Sequence, residues 1–341
     1  MLFRTGLGFM GLVAAGVSSA SVAQEPPARI SPKVMVITMF AGEAKPWLDN
    51  EPFAQKIAIP GLSKGFPEVS CTEASLCLVT TSMGYANAAS SISALIYSGR
   101  FDLSQTYFLI AGIAGVDPAD GTLGSAHWAR YAVDGGLQNQ IDAREIPGDW
   151  ATGYVAIGAS RPGEKVELKY GSEVYRLNES LLQKAYSLTK DVELADSDAA
   201  KAYRARYTAA PANAAPGVSI CDTVSADTWW HGSRLGASME AWAKLITSGE
   251  ANYCTTQQED NATLTALRRG ADAGLLDFDR IAILRTASNF DREASGQTPV
   301  ESLTAKSGGY IPSVTNAYRV GAKFARAVIG EWQSWKAGTP K

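Results

Sequence analysis

Histidine, charge and long apolar runs are all scarce in this 341-residue sequence. It has two histidines, His127 and His231, and no Cys-x-x-Cys pair, which argues against a structural zinc site or a histidine-rich metal centre. No metal or cofactor is expected. With 31 Lys and Arg against 34 Asp and Glu, the net charge is -3, so the basic footprint of a nucleic-acid binder is missing. Beyond the first 23 residues nothing approaches the roughly 18 continuous apolar residues that a membrane-spanning helix needs. There is no internal repeat, no low-complexity tract and no linker long enough to divide the chain. There is also no Walker loop, no G-x-G-x-x-G and no G-x-S-x-G elbow.

The N-terminus reads Met1-Leu-Phe-Arg4, an apolar uncharged run from Thr5 to Val17, then Ser-Ser-Ala-Ser-Val-Ala23. One positive charge, a short apolar stretch and small residues at the cut describe a secretory signal peptide over residues 1–23. Cleavage is expected between Ala23 and Gln24, with Ala20 as the alternative. An uncleaved anchor is disfavoured because the run is short and rich in Gly and Ala. The expected location is secreted or periplasmic. Residues 24–33, with three prolines, read as an extended arm, and 34–341 as one domain.

Export makes disulfides permissible, and Cys71, Cys77, Cys221 and Cys254 allow three pairings. The favoured one is Cys71–Cys77, closing a short turn, with Cys221–Cys254 tying two later segments. Four free buried thiols are the alternative.

Short apolar runs bounded by turn residues predict buried strands at 34–39, 76–81, 106–111, 217–223, 251–256 and 280–285. Strand-like runs also occur at 126–133 and 151–157. Helical spacing predicts helices at 85–97, 175–194, 197–208, 233–247, 262–273 and 314–335. Buried strands alternating with helices indicate a single α/β domain, its central twisted sheet mixed but largely parallel and flanked by helices. Ligands in such sheets bind at the carboxyl ends of the strands. Several of these ends carry polar or Gly-rich stretches, which would together form one crevice.

Six stretches, in order, give the chain its resemblance. They are Val-Ile-Thr-Met-Phe-Ala-Gly-Glu-Ala-Lys-Pro-Trp47, Ser-Met-Gly-Tyr-Ala-Asn-Ala-Ala89, Ala-Gly-Ile-Ala-Gly-Val-Asp-Pro118, Asp227-Thr-Trp-Trp-His-Gly232, Thr-Gln-Gln-Glu-Asp-Asn261 and Leu-Arg-Thr-Ala-Ser-Asn-Phe-Asp291. The sequence resembles the purine nucleoside permease family, within the nucleoside phosphorylase and nucleosidase superfamily, over about residues 34 to 335. The resemblance implies that Gly112-Ile113-Ala114-Gly115 lies against ribose and base. It implies that Glu259 accepts hydrogen bonds from the ribose 2′- and 3′-hydroxyls. Asn289 would bond the purine near N7, which makes the base a better leaving group. Asn at that position goes with 6-oxopurines in relatives, hinting at inosine or guanosine. Glu43 falls where the nucleosidase branch keeps its water-activating carboxylate. The substrate-facing set is then Gly84, Ile113, Ala114, Gly115, Trp150, Gln258 and Glu259, with Glu43 and Asn289 as catalytic groups.

Two carboxylates compete for the sugar role. Met239-Glu240 also matches a superfamily Met-Glu signature, but it lies inside a predicted helix, so Glu240 is expected to be solvated. The strand-end loops carry no Arg or Lys for phosphate, which favours hydrolysis over phosphorolysis. Trp150 sits where relatives carry a base-stacking loop, and Trp229 and Trp230 precede His231; these tryptophans read either as stacking on a purine or as plain core and pocket wall. His231 is expected to be structural, and His127 has no assigned role. The expected partner is a purine nucleoside, and homo-oligomerisation is left open. Three readings follow: an exported nucleoside hydrolase-like enzyme, a non-catalytic binding protein assisting uptake, and a storage protein. A phosphate-dependent phosphorylase is the alternative enzyme.

Overall fold

The structure is a computed structural model that describes residues 1–2 and 29–341. The expected signal peptide, its cut after Ala23, and the first half of the arm at 24–33 lie outside the described residues.

The first strand, β1 (Val34–Thr38), is buried along its whole length. It leads through Met39 and Phe40 into α1 (Ala41–Asn50). A hairpin of β2 (Gln55–Ala58) and β3 (Glu68–Cys71) follows, then β4 (Leu76–Thr80), α2 (Tyr85–Tyr97) and the long β5 (Tyr107–Val116). Next come β6 (Ala126–Ala129), β7 (Tyr131–Asp134), β8 (Gln138–Gln140), β9 (Tyr154–Ala156) and β10 (Val174–Arg176). Helices α3 (Glu179–Thr189), α4 (Asp198–Arg204) and α5 (Ala210–Asn213) lead to β11 (Val218–Ile220) and β12 (Asp222–Ser225). Then follow α6 (Ser233–Ile246), β13 (Tyr253–Gln257), α7 (Asp260–Asp272), β14 (Ile281–Phe290), α8 (Pro299–Leu303), α9 (Tyr310–Gly330) and α10 (Trp332–Trp335).

All strands except the β8–β9 ribbon join one mixed sheet. The parallel pairings β4–β1–β5–β14 form its centre, and antiparallel pairings turn its ends. Both faces are covered, which is why the central strands read as unbroken apolar runs. Met35 and Ile37 of β1 pack with Ile92 and Leu95 of α2 and Leu264 and Leu267 of α7. Their neighbours Val34 and Val36 point the other way, to Trp47 of α1, Leu181 of α3 and Val320 and Phe324 of α9. This alternation along one strand feeds two separate cores.

Several boundaries differ from the sequence expectation. The apolar run after Thr106 does not stop at Ala111: β5 continues to Val116, and β14 continues through Asn289 to Phe290. Each supplies the other's hydrogen-bond partners over nine register pairs, so Gly112–Gly115 is strand and not loop. Tyr175 begins no helix; it lies in β10, paired antiparallel with β7, and Asn178 caps α3 by accepting from the Leu181 amide at 3.0 Å. The runs at 126–133 and 217–223 each break into two strands, because β14 and β11 pair with one part and β12, β10 and β13 with the others. The last helix starts four residues early at Tyr310 and ends at Gly330.

Both favoured disulfides are present, Cys71–Cys77 and Cys221–Cys254. Cys71 and Cys77 are direct cross-strand partners on β3 and β4. Cys221 sits between β11 and β12 and reaches Cys254 on β13. His127 lies against this second bridge, with Nδ1 2.8 Å from Ser219 Oγ, and both sulfurs there are engaged in the disulfide. Among the described residues no helix is long and apolar enough to cross a membrane.

Candidate active site

At the carboxyl ends of β1, β5, β13 and β14 lies a cavity of about 190 Å³ that opens to solvent. Glu43, Ile113, Ala114, Gly115, Gln258, Glu259 and Asn289 all line it. These are seven of the nine ligand-site residues expected from the resemblance. An eighth, Gly84, stands directly behind Glu259 and donates its amide to Glu259 Oε1 at 3.3 Å. Trp150 is the exception and is absent from the lining. It belongs to the segment between β8 and β9, which pair with each other in a separate two-stranded ribbon. The aromatics at the cavity are Phe40, just before α1, and Trp229, in the turn after β12, with 60% of its surface exposed.

Glu43 is set by the first turn of α1 and is only 3% exposed. Its Oε2 accepts from the Met39 amide and its Oε1 from the Ile113 amide, both at 2.8 Å. These two bonds hold the carboxylate between β1 and β5. Burial pushes its pKa up to about 7, against the opposing pull of Arg285 and the two amides; the Glu259 charge adds to the rise. A carboxyl poised there can take or give a proton near neutral pH.

Glu259 is the residue before α7 and is 4% exposed. Its pKa is also raised by burial, and Arg285 opposes the shift. Asp227 accepts from the Tyr85 amide at 2.7 Å, which secures the start of α2 beside it. Glu240, the competing carboxylate, lies on the outer face of α6 and pairs with Lys244 at 2.6 Å. It takes no part in the cavity.

Asn289 lies on β14 across from Gly115. Its Nδ2 donates to the Phe290 carbonyl at 3.0 Å, and the Ser288 hydroxyl lies 2.9 Å from its Oδ1. Because a carbonyl can only accept, this pairing fixes which end of the amide is nitrogen. The second N–H of Nδ2 is left to donate elsewhere.

Arg285 was not singled out by sequence. It is 1% exposed and sits beneath the cavity floor. Its Nη2 meets Asp260 Oδ1 at 2.5 Å, its Nε meets Asp260 Oδ2 at 3.2 Å, and its Nη1 donates to the Ile113 carbonyl at 3.1 Å. Glu259 Oε2 is 3.6 Å from Nη2. The signal was present: a lone cation within an apolar strand is expensive unless paired, and Gln-Gln-Glu-Asp260 holds the partners. Gly112 makes the arrangement possible. A Cβ there would lie 2.6 Å from both Arg285 Nη1 and Glu43 Oε1, and 2.1 Å from Met39 Cε. Among the described residues no Lys or Arg lines the cavity, and Arg285 behind it is already shared by carboxylates.

Comparison with known proteins agrees with this geometry. Residues 31–340 match the family described as purine nucleoside permease (NUP). A "Probable purine nucleoside permease" of Schizosaccharomyces pombe is 38% identical over 317 residues, covering 89% of this chain and 91% of that protein. A purine nucleoside permease of Candida albicans is 38% identical over 321 residues, covering 92% and 79%. Among solved structures, the 5′-methylthioadenosine/S-adenosylhomocysteine nucleosidase of Neisseria meningitidis aligns with a TM-score of 0.51 at 16% identity, over 87% of this chain and 99% of that one. The futalosine hydrolase of Helicobacter pylori aligns at 0.52 and 12% identity, over 87% and 98%. At such identities the likeness is one of fold, the nucleosidase type of α/β domain. Matched over nearly its whole described length, the chain belongs to the purine nucleoside permease family.

Proposed function

We propose that the protein binds a purine nucleoside in this cavity and hydrolyses its N-glycosidic bond, serving purine nucleoside uptake or salvage. One observation carries the reading: Glu43, Glu259 and Asn289 line a single cavity that has no cation in its wall. In this reading Glu259 accepts from the ribose 2′- and 3′-hydroxyls and holds the sugar. Asn289 donates its free N–H to the base near N7. Glu43 takes a proton from a water on the sugar face opposite the base. The water oxygen bonds to C1′ as the C1′–N9 bond breaks, and the bonding pair leaves with the purine. Positive charge on the ribose and negative charge on the base develop together, so groups that act only then raise turnover rather than affinity.

The orientation of Asn289 favours a 6-oxopurine. Its remaining N–H faces N7 and O6, which both accept, whereas a 6-amino group would set donor against donor. The lack of a lining cation favours water over phosphate as nucleophile, since the carboxylates would repel the anion. Export to a secreted or periplasmic location is supported by the leader-like N-terminus and by two disulfides.

A second reading is a non-catalytic nucleoside-binding protein that assists uptake. It is favoured by the permease names of the relatives, set against the lack of a membrane-spanning helix among the described residues. One experiment separates these. The protein is incubated with inosine, with and without phosphate, and hypoxanthine is measured. Free base in both conditions supports hydrolysis. Base only with phosphate replaces hydrolysis by phosphorolysis, and binding without base release supports the second reading.

A further inference from the structure

Beyond Asn289 the cavity adjoins a second compartment of about 230 Å³, which shares Ile113, Trp229, Ser288 and Asn289 with the first. Its serines are already engaged. Ser307 donates to the Ser288 carbonyl at 2.9 Å and Ser302 to the Arg292 carbonyl at 3.4 Å. His231 differs. Both of its ring nitrogens are buried, and neither finds a hydrogen-bond partner among the described residues. A buried polar group left unpaired is costly unless a ligand satisfies it.

The backbone that follows His231 is tied down. The Gly232 amide donates to the Asp291 carbonyl at 2.9 Å, and the Ser233 amide to Glu293 Oε2 at 2.9 Å, so the turn is tied to the end of β14 on both sides. Gly232 has φ +112°, a conformation that only glycine adopts freely, and it lets α6 start immediately after His231. Burial lowers the imidazole pKa although Asp291 and Glu293 favour the cation, so the ring is neutral at pH 7 and offers one donor and one acceptor.

On a purine, N7 and the 6-substituent share one side, and N1 comes next around the six-membered ring. Asn289 lines both compartments, so a base whose N7 meets Asn289 and whose six-membered ring lies on the His231 side would carry its N1 edge into the second one. We infer that His231 is a specificity-determining residue whose imidazole accepts a hydrogen bond from N1–H of a 6-oxopurine in this compartment. The inference rests on the reading of the first cavity as a purine nucleoside site. It adds a second contact to the base, from a different chain segment than Asn289, and turns a tolerance for purines into a preference for those that carry a proton at N1.

The test uses free bases, which have no glycosidic bond and bind whether or not the protein is a hydrolase. Hypoxanthine and 1-methylhypoxanthine are titrated calorimetrically into the full chain and into His231→Ala, His231→Phe and His231→Gln. The wild-type protein is expected to prefer hypoxanthine by about tenfold or more. His231→Ala should weaken hypoxanthine about tenfold and bring the two bases within about twofold of each other. His231→Phe keeps the ring volume without the nitrogens and should behave the same way, which covers the case of an unstable alanine variant. His231→Gln restores an acceptor and should recover the preference. A purely structural role would weaken both bases equally and leave their ratio unchanged; that result overturns the inference, as does Gln behaving like Phe. If the wild-type protein binds neither base, the purine-site reading falls and this inference with it.

Discussion

Replacing Glu43 by Gln removes a buried charge while keeping the volume, and the structure allows both consequences to be worked out. A pKa of about 7 in the folded protein, against 4.5 for the ordinary group, means the folded state holds a proton that the unfolded chain has released. Below pH 4.5 both states are protonated and the contribution to stability is fully present. Between pH 4.5 and 7 the unfolded chain ionises first, so that contribution is lost, by about 3 kcal/mol in total. Above pH 7 the loss is constant. Gln does not titrate, so the variant lacks this slope. It carries instead a pH-independent cost of about 1–3 kcal/mol, because either the Met39 or the Ile113 amide must face an NH₂ in place of an oxygen. Urea denaturation from pH 4.5 to 8 should show the wild-type protein losing about 3 kcal/mol relative to Glu43→Gln, other groups cancelling in the difference. For turnover, measured as hypoxanthine release from inosine in phosphate-free buffer, the variant should fall by about 10²–10⁴ with affinity changed only a few-fold. Wild-type turnover should rise with pH through about 7 as Glu43 ionises. Parallel stability curves for the two proteins would refute the raised carboxyl. Unchanged turnover in Glu43→Gln would remove Glu43 from the chemistry.

Glu259→Ala should weaken nucleoside binding by about 1.5–3 kcal/mol in equilibrium titration, whereas Glu240→Ala, on the outer face of α6, should change it by no more than a few tenths; the reverse order would mean that the Met-Glu match at 239–240 is the functional one. Asn289→Asp should shift preference from 6-oxopurines towards aminopurines in competition assays, because a protonated carboxyl can donate to N7 while its other oxygen accepts from a 6-amino group; an unchanged preference would detach Asn289 from base recognition. Loss of the Cys221–Cys254 bridge should cost more stability than loss of Cys71–Cys77, about 4 against about 2 kcal/mol from their sequence separations of 33 and 6. Urea midpoints of the two double Cys→Ala variants check the order.

Much of the molecule follows from sequence alone. Unbroken apolar runs such as Val34–Met39 and Leu76–Thr81 had to be strands buried on both faces, since only covered sheets tolerate them. Of the three pairings that four cysteines allow, the favoured one is present, and the family resemblance pointed to the carboxylates and amides that line the cavity. Tertiary structure decided the rest, because those features depend on what lies alongside. Gly112-Ile-Ala-Gly115 reads as a loop in isolation and becomes strand only because β14 runs beside it and satisfies its backbone. Trp150 and Trp229 are equivalent as letters; the first lies between β8 and β9 and is absent from the lining, and the turn after β12 delivers the second. Arg285 looks like a charge ending a strand until Asp260, Glu259 and the Ile113 carbonyl, remote in sequence, close around it. The proton affinity of Glu43 is decided in the same way: desolvation is set jointly by every element packed over the side chain, and the residue type alone carries no record of it.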